Sequence, residues 1–105
     1  MQLTSYLQGG ELTIELTGEI DHHCAKHYIQ TITAKIEAYT PQICILDFQE
    51  VTFMDSSGIA VVINALRMMG KLDGRLELSG LQSQPMKVFR ASGVDRLITI
   101  KEEVK

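Results

Sequence analysis

The sequence is poor in the features that mark several functional classes. It has two cysteines, too few for a disulfide framework or a four-ligand zinc site. Cys24 and Cys44 fall in different predicted elements and read as reduced thiols in a cytosolic protein. No basic residue precedes Lys26 and no apolar h-region follows Met1, so no secretion signal is expected. No apolar run approaches the roughly 18 residues a bilayer span requires. An excess of positive charge is missing too: 10 Lys and Arg stand against 13 Asp and Glu, net charge -3. Nucleic acid and anionic membrane both reward clustered positive charge, so neither is expected as a direct partner. Walker loops, Gly-x-Gly-x-x-Gly, the Gly-x-Ser-x-Gly elbow and Cys-x-x-Cys are all absent, as are repeats, linkers and low-complexity segments.

What remains is 105 residues, 45% hydrophobic and 22% charged, enough for one cytoplasmic domain spanning 1–105 with a single core. Leu12, Ile14 and Leu16 alternate with polar residues, the period of a half-buried strand. Gly9-Gly10 turns into it from a shorter strand around 3–7. Asp21 is placed to cap a helix whose stripe is Ala25, Tyr28, Ile29, Ile32, Ile36 and Tyr39, ended by Thr40-Pro41. The apolar run 43–48 reads as a strand buried on both faces. A second helix is predicted from about Ser57 to Leu72, with Ile59, Val62, Ile63, Leu66 and Met69 inward. Residues 75–79 alternate again. Pro85 stands near the start of a third helix that Gly93 stops, and 97–100 form a last edge strand before a short polar tail. The order β-β-α-β-α-β-α-(β) predicts an α/β layered domain: a mixed sheet with packed helices.

Two clusters carry chemistry. His22, His23, Cys24 and His27 include a pair spaced for one helix face, but one short segment without a fourth ligand reads as a solvated first turn, and no metal is assigned. Phe53-Met54-Asp55-Ser56-Ser57-Gly58-Ile59 lies where the chain leaves the central strand for the second helix, the edge where α/β sheets bind ligands and partners. Asp55, Ser56 and Ser57 all cap helices well, but two adjacent serines exceed what one cap needs. Ser57, Ala60, Val61, Asn64 and Met68 share one side of that helix. If the opposite stripe is core, Val61 and Met68 are partly exposed and offer an apolar patch beside a hydroxyl; a sandwiched helix would bury both stripes.

At these residues the sequence resembles the bacterial anti-sigma factor antagonists of the STAS-domain superfamily. The segments that carry the likeness are Leu16-Thr17-Gly18-Glu19-Ile20-Asp21-His22-His23 and Val51-Thr52-Phe53-Met54-Asp55-Ser56-Ser57-Gly58-Ile59, with a weaker match at Phe89-Arg90-Ala91-Ser92-Gly93-Val94. Cys24, where the family would carry a small polar residue, and a short C-terminal tail depart from the pattern. The resemblance implies a STAS-like single domain and a regulator rather than an enzyme, with no cofactor. It implies that Ser57 is the phosphoacceptor and that Asp55 and Ser56 present it, with Asp21 lining the same surface. Gly58, Val61 and Asn64 complete the expected partner-binding surface. The implied partners are an anti-sigma factor with serine kinase activity and a metal-dependent (PP2C-like) phosphatase.

Unmodified, the protein would bind the anti-sigma factor and release a sigma factor; phosphate at Ser57, held by the dipole and free amides of a helix N-terminus, would end docking. Two alternatives stand beside this reading. One is a STAS module that binds a nucleotide or small ligand, or serves a transport or stress-sensing assembly. The other is a hydrolase with Ser57 as nucleophile and His22 or His23 as base, which lacks an oxyanion signature.

Overall fold

The computed structural model describes residues 3–101. Strands β1 (Thr4–Gln8) and β2 (Glu11–Ile20) form the opening hairpin. Gly9 and Gly10 turn it with φ of +59° and +80°, a pair of left-handed residues that matches strand twist. Then follow α1 (Ala25–Tyr39), β3 (Ile43–Met54), α2 (Ser57–Lys71), β4 (Arg75–Ser79), α3 (Ser83–Ser92), a short 3₁₀ turn at Val94–Arg96, and β5 (Thr99–Lys101). The sheet order is β1-β2-β3-β4-β5, antiparallel at the first pair and parallel at the other three. The predicted mixed sheet and element order are both observed.

Each parallel connection steps one strand in the same direction, so right-handed crossovers place the three helices on one face of the sheet. Strand alternation agrees. Leu12, Ile14, Leu16, Cys44, Leu46, Phe48, Leu76 and Leu78 point into one core with Tyr28, Ile32 and Ile36 of α1 and Val61, Val62, Ala65 and Met69 of α2. The reverse face carries Thr13, Ile45 and Glu77 in one cross-strand row. There the buried Glu77 carboxylate meets Arg75 at 3.1 Å and Lys101 at 3.0 Å.

Several boundaries moved. α1 begins at Ala25 rather than at Asp21, because a tight turn intervenes, and Tyr39 is half exposed on its last turn. β2 runs through Gly18 to Ile20 and β3 runs to Met54, well past the end of β4. Gly18, at φ +79°, adjoins two register irregularities that bend β2 without ending it. The Tyr28 hydroxyl donates to the Thr17 carbonyl at 2.6 Å and ties α1 to that bend. The last strand begins two residues later than expected, behind the 3₁₀ turn, and residues 102–105 of the polar tail lie outside the described residues.

Candidate functional site

The site is built by two strand ends lying side by side. β2 and β3 are parallel neighbours with Ile20 opposite Met54, and the Asp55 amide donates to the Ile20 carbonyl at 3.1 Å. Asp21 and Asp55, the residues that follow, therefore share the carboxyl edge of the sheet although 34 positions separate them.

Each aspartate makes the same local turn. Asp21 Oδ1 accepts the His23 amide at 2.9 Å and the Asp21 carbonyl accepts the Cys24 amide at 3.2 Å. Asp55 Oδ1 accepts the Ser57 amide at 2.8 Å and its carbonyl accepts the Gly58 amide at 3.0 Å. These are Asx turns, in which a short carboxylate stands in for a backbone carbonyl and starts the chain toward a helix. Ser56 occupies the cap position of α2 without a side-chain cap bond, so the capping work predicted for the trio falls to Asp55. Among the described residues neither serine hydroxyl is held by an intramolecular hydrogen bond. Ser56 is exposed and Ser57 half-buried at the first residue of α2.

The electrostatics of the patch are acidic. The Cys24 thiol donates to Asp21 Oδ1 at 3.1 Å and to the Glu19 carbonyl at 3.4 Å. That side-chain bond, reinforced by the Cys24 and His23 amides against a small desolvation penalty, holds the Asp21 carboxyl below its usual range. The thiol itself is pushed up. Its backbone bond with Asp21 acts downward, but donation to the carboxylate, burial and the charges of Asp21 and Glu19 outweigh it. Cys44, sealed in β3, is pushed up to about 12 by burial alone. Both cysteines are free, and among the described residues no group of three metal-ligating side chains converges. His22 and His23 stack with ring centroids 4.0 Å apart and remain exposed.

Three expected surface residues sit elsewhere. Val61 is 1% exposed and packs into the main core, because the buried face of α2 runs through Val61, Val62, Ala65 and Met69, while Ile59, Ile63 and Leu66 of the expected inward stripe are only half-buried. It offers no exposed apolar surface beside Ser57. Asn64 is half-buried and its side-chain amide donates to Thr33 Oγ1 of α1 at 2.8 Å, so its role is to join two helices. Gly58 is buried, and a Cβ there would overlap Sδ and Cγ of Met54. Packing of α2 on the end of β3 by itself favours glycine here.

A further expectation also fails. The first amides of α2 are not free for an anion: those of Ser57 and Gly58 go to Asp55 and that of Ile59 to the Ser56 carbonyl at 3.1 Å. The helix N-terminus offers its dipole here and no vacant cradle.

Sequence reasoning missed Gln82 and Gln84. Beyond the end of β4, the β4 side of β3 is met by side chains of the α3 start. Gln82 Nε2 donates to the Gln49 carbonyl at 2.8 Å. Gln84 accepts the Met54 amide at 2.8 Å and donates to the Met54 carbonyl at 2.9 Å. No local signal marks these glutamines, since their partners exist only because β3 overhangs β4.

The family profile of the STAS domain matches residues 2–105. The chain belongs to the STAS family. Among curated STAS relatives, an anti-sigma F factor antagonist of Lysinibacillus sphaericus is 34% identical over 83 residues, 79% of this chain and 71% of that protein. An anti-sigma-B factor antagonist of Bacillus subtilis is 28% identical over 91 residues, 86% of this chain and 81% of that one. Among solved structures, the anti-sigma factor antagonist SpoIIAA in its unphosphorylated form superposes with a TM-score of 0.83 at 26% identity, covering 99% of this chain and 90% of that one. The phosphorylated form of the Bacillus protein superposes at 0.74, also at 26% identity, covering 99% and 93%. These relatives are named as antagonists of anti-sigma factors, and the shared architecture is the five-stranded mixed sheet with three helices described above. No helix among the described residues is long and apolar enough to cross a membrane.

Proposed function

We propose that this STAS protein is an anti-sigma factor antagonist governed by phosphorylation of Ser57. Unmodified, it docks the surface around Asp21, Asp55, Ser56 and Ser57 on a cytoplasmic anti-sigma factor and releases the sigma factor held there. The anti-sigma factor is also the serine kinase that phosphorylates Ser57 from ATP, and a PP2C-like phosphatase reverses the modification. The chain is thus a substrate and competitor, not a catalyst.

One observation carries the reading: a half-buried, unengaged hydroxyl at the first residue of α2, directly after Asp55 and Ser56 at the edge shared with Asp21. A phosphoserine carries about -1.5 to -2 charges near neutral pH. Added beside two aspartates, with the Ser57, Gly58 and Ile59 amides already engaged, that charge has to be desolvated for docking to proceed. Burying an unpaired anion costs several kcal/mol, and ~2.8 kcal/mol already weakens binding about a hundredfold. The switch therefore needs no refolding.

The test is reconstitution with the cognate kinase-type anti-sigma factor and ATP. Intact-mass analysis should show one phosphate, peptide mapping should place it on Ser57, and the modified protein should no longer be retained by the anti-sigma factor. Stoichiometric phosphate elsewhere, or undiminished retention of the modified form, would overturn the assignment. Tight nucleotide binding by the chain alone, without a protein partner, would favour the ligand-binding alternative.

A further inference from the structure

We infer that Gln84, at the start of α3, is a positioning residue for the Ser57 loop. The inference rests on Ser57 being the phosphoacceptor. β3 pairs with β4 only as far as Asp47 opposite Ser79, so Phe48 to Met54 extend beyond their β4 partner. At the far end of this overhang, immediately before Asp55, a single side chain occupies both backbone groups of Met54. The Gln84 carboxamide accepts the Met54 amide at 2.8 Å and donates to the Met54 carbonyl at 2.9 Å. A primary amide presents one donor and one acceptor in a fixed fork and so reproduces the edge of a neighbouring strand for one residue. A carboxylate lacks the donor, and an apolar side chain lacks both groups.

Met54 then transmits the constraint. Its side chain is fully buried and fills the space beneath Gly58, where even a Cβ would collide with it. The chain of contacts runs from Gln84 to the Met54 backbone, from Met54 to the first turn of α2, and so to Ser57. On the other side the loop is fixed by the Asp55 amide on Ile20. Between these two clamps, Asp55 sets the direction in which Ser57 leaves the strand. Without Gln84 the β2 clamp and the Asp55 turn remain, but the end of β3 is free to shift on the α3 side. A kinase that must bring this hydroxyl into line with a phosphoryl group is sensitive to displacements of this kind.

The experiment compares Gln84→Ala and Gln84→Met with a control, Phe89→Leu, which perturbs the core side of α3 where it packs on Phe48, at the opposite end of the β3 overhang from Met54. Single-turnover phosphorylation by the anti-sigma kinase is measured at a temperature where every variant is folded, alongside backbone amide spectra. Both Gln84 variants should slow phosphate transfer roughly tenfold, the scale of two modest hydrogen bonds. They should also shift the amide signals of Asp55, Ser57 and Gly58. Phe89→Leu should lower the melting temperature while leaving rate and loop signals as in the parent. Parent-like rates and signals in both Gln84 variants would overturn the proposal. Equal slowing by Phe89→Leu would overturn it too, by showing that general stability sets the rate. If the parent chain itself accepts no phosphate, the phosphoacceptor reading fails, and the loop amide signals alone decide whether Gln84 positions the turn.

Discussion

The Asp55 carboxylate holds the Ser57 backbone amide at 2.8 Å, so the residue that starts α2 also places a negative charge beside the Ser57 hydroxyl. Asp21 makes the equivalent bond to His23 on the adjacent strand end. Two like turns in register thus give the site its shape and its charge. A phosphate on Ser57 adds to an acidic edge where the first three amides of α2 are already taken, which is why modification is expected to oppose docking rather than to order the loop.

Ser57→Ala should bind the anti-sigma factor constitutively and accept no phosphate, while Ser56→Ala should still be phosphorylated. Ser57→Asp should bind at least tenfold more weakly than the parent, the effect of about 1.4 kcal/mol from one added charge. Intact mass after kinase treatment, together with titration by calorimetry, checks all three. Wild-type phosphate incorporation in Ser57→Ala would remove the serine from its role.

Asp55→Ala removes the Asx turn that launches α2 and should cost about 1 kcal/mol of stability, the usual value of a lost cap. Asp55→Asn, whose side-chain oxygen still accepts the Ser57 amide, should lose much less. Urea denaturation of the two variants separates the cap from the charge, and equal losses would argue that the charge matters to stability.

Gly58→Ala should destabilise by about 1–3 kcal/mol through overpacking against Met54. Shortening Met54 to Ala opens a cavity on its own, yet in the double variant the two costs should partly cancel. A double-mutant cycle in denaturant measures this directly. Strict additivity would show that the two residues do not meet.

Asp21 titrates below the ordinary carboxylate range in the fold. Its contribution to stability is therefore fully present above the unfolded value near 3.9 and is lost as pH falls through the lower folded value. Asp21→Asn should flatten the acid limb of stability below about pH 4 and leave the pH dependence near pH 7 unchanged, because Asp21 is ionised there in both the folded and the unfolded chain. Stability profiles with an unchanged acid limb would count against the Cys24 thiol and amide bonds as the cause.

Cys44 is fully buried, with its thiol pushed up to about 12, so alkylation near pH 8 should await global unfolding. Mass-resolved labelling in increasing urea should follow the unfolding curve at Cys44 and precede it at half-buried Cys24. Rapid native labelling of Cys44 would contradict the packing of β3.

The sequence alone determined a great deal here. Two-residue alternation at Leu12, Ile14 and Leu16 marks β2, helical spacing marks α1 and α2, and Gly93 marks the end of α3, because these signals depend on near neighbours. The Asp-Ser-Ser-Gly element was visible as a loop entering a helix for the same reason. Tertiary structure decided which of its residues are exposed and which are buried. Helical spacing alone leaves Val61 beside the core stripe, and packing against the sheet and α1 turns the buried face of α2 to take in Val61 and Ala65 with Val62 and Met69. That Met54 lies beneath Gly58 and leaves no room for a Cβ is likewise decided by the fold. The placing of Asp21 and Asp55 on one sheet edge, and the contact of Gln84 with Met54, follow from strand register and from the overhang of β3 beyond β4. Register is fixed by packing between residues far apart in the chain, a balance that no local window of sequence contains.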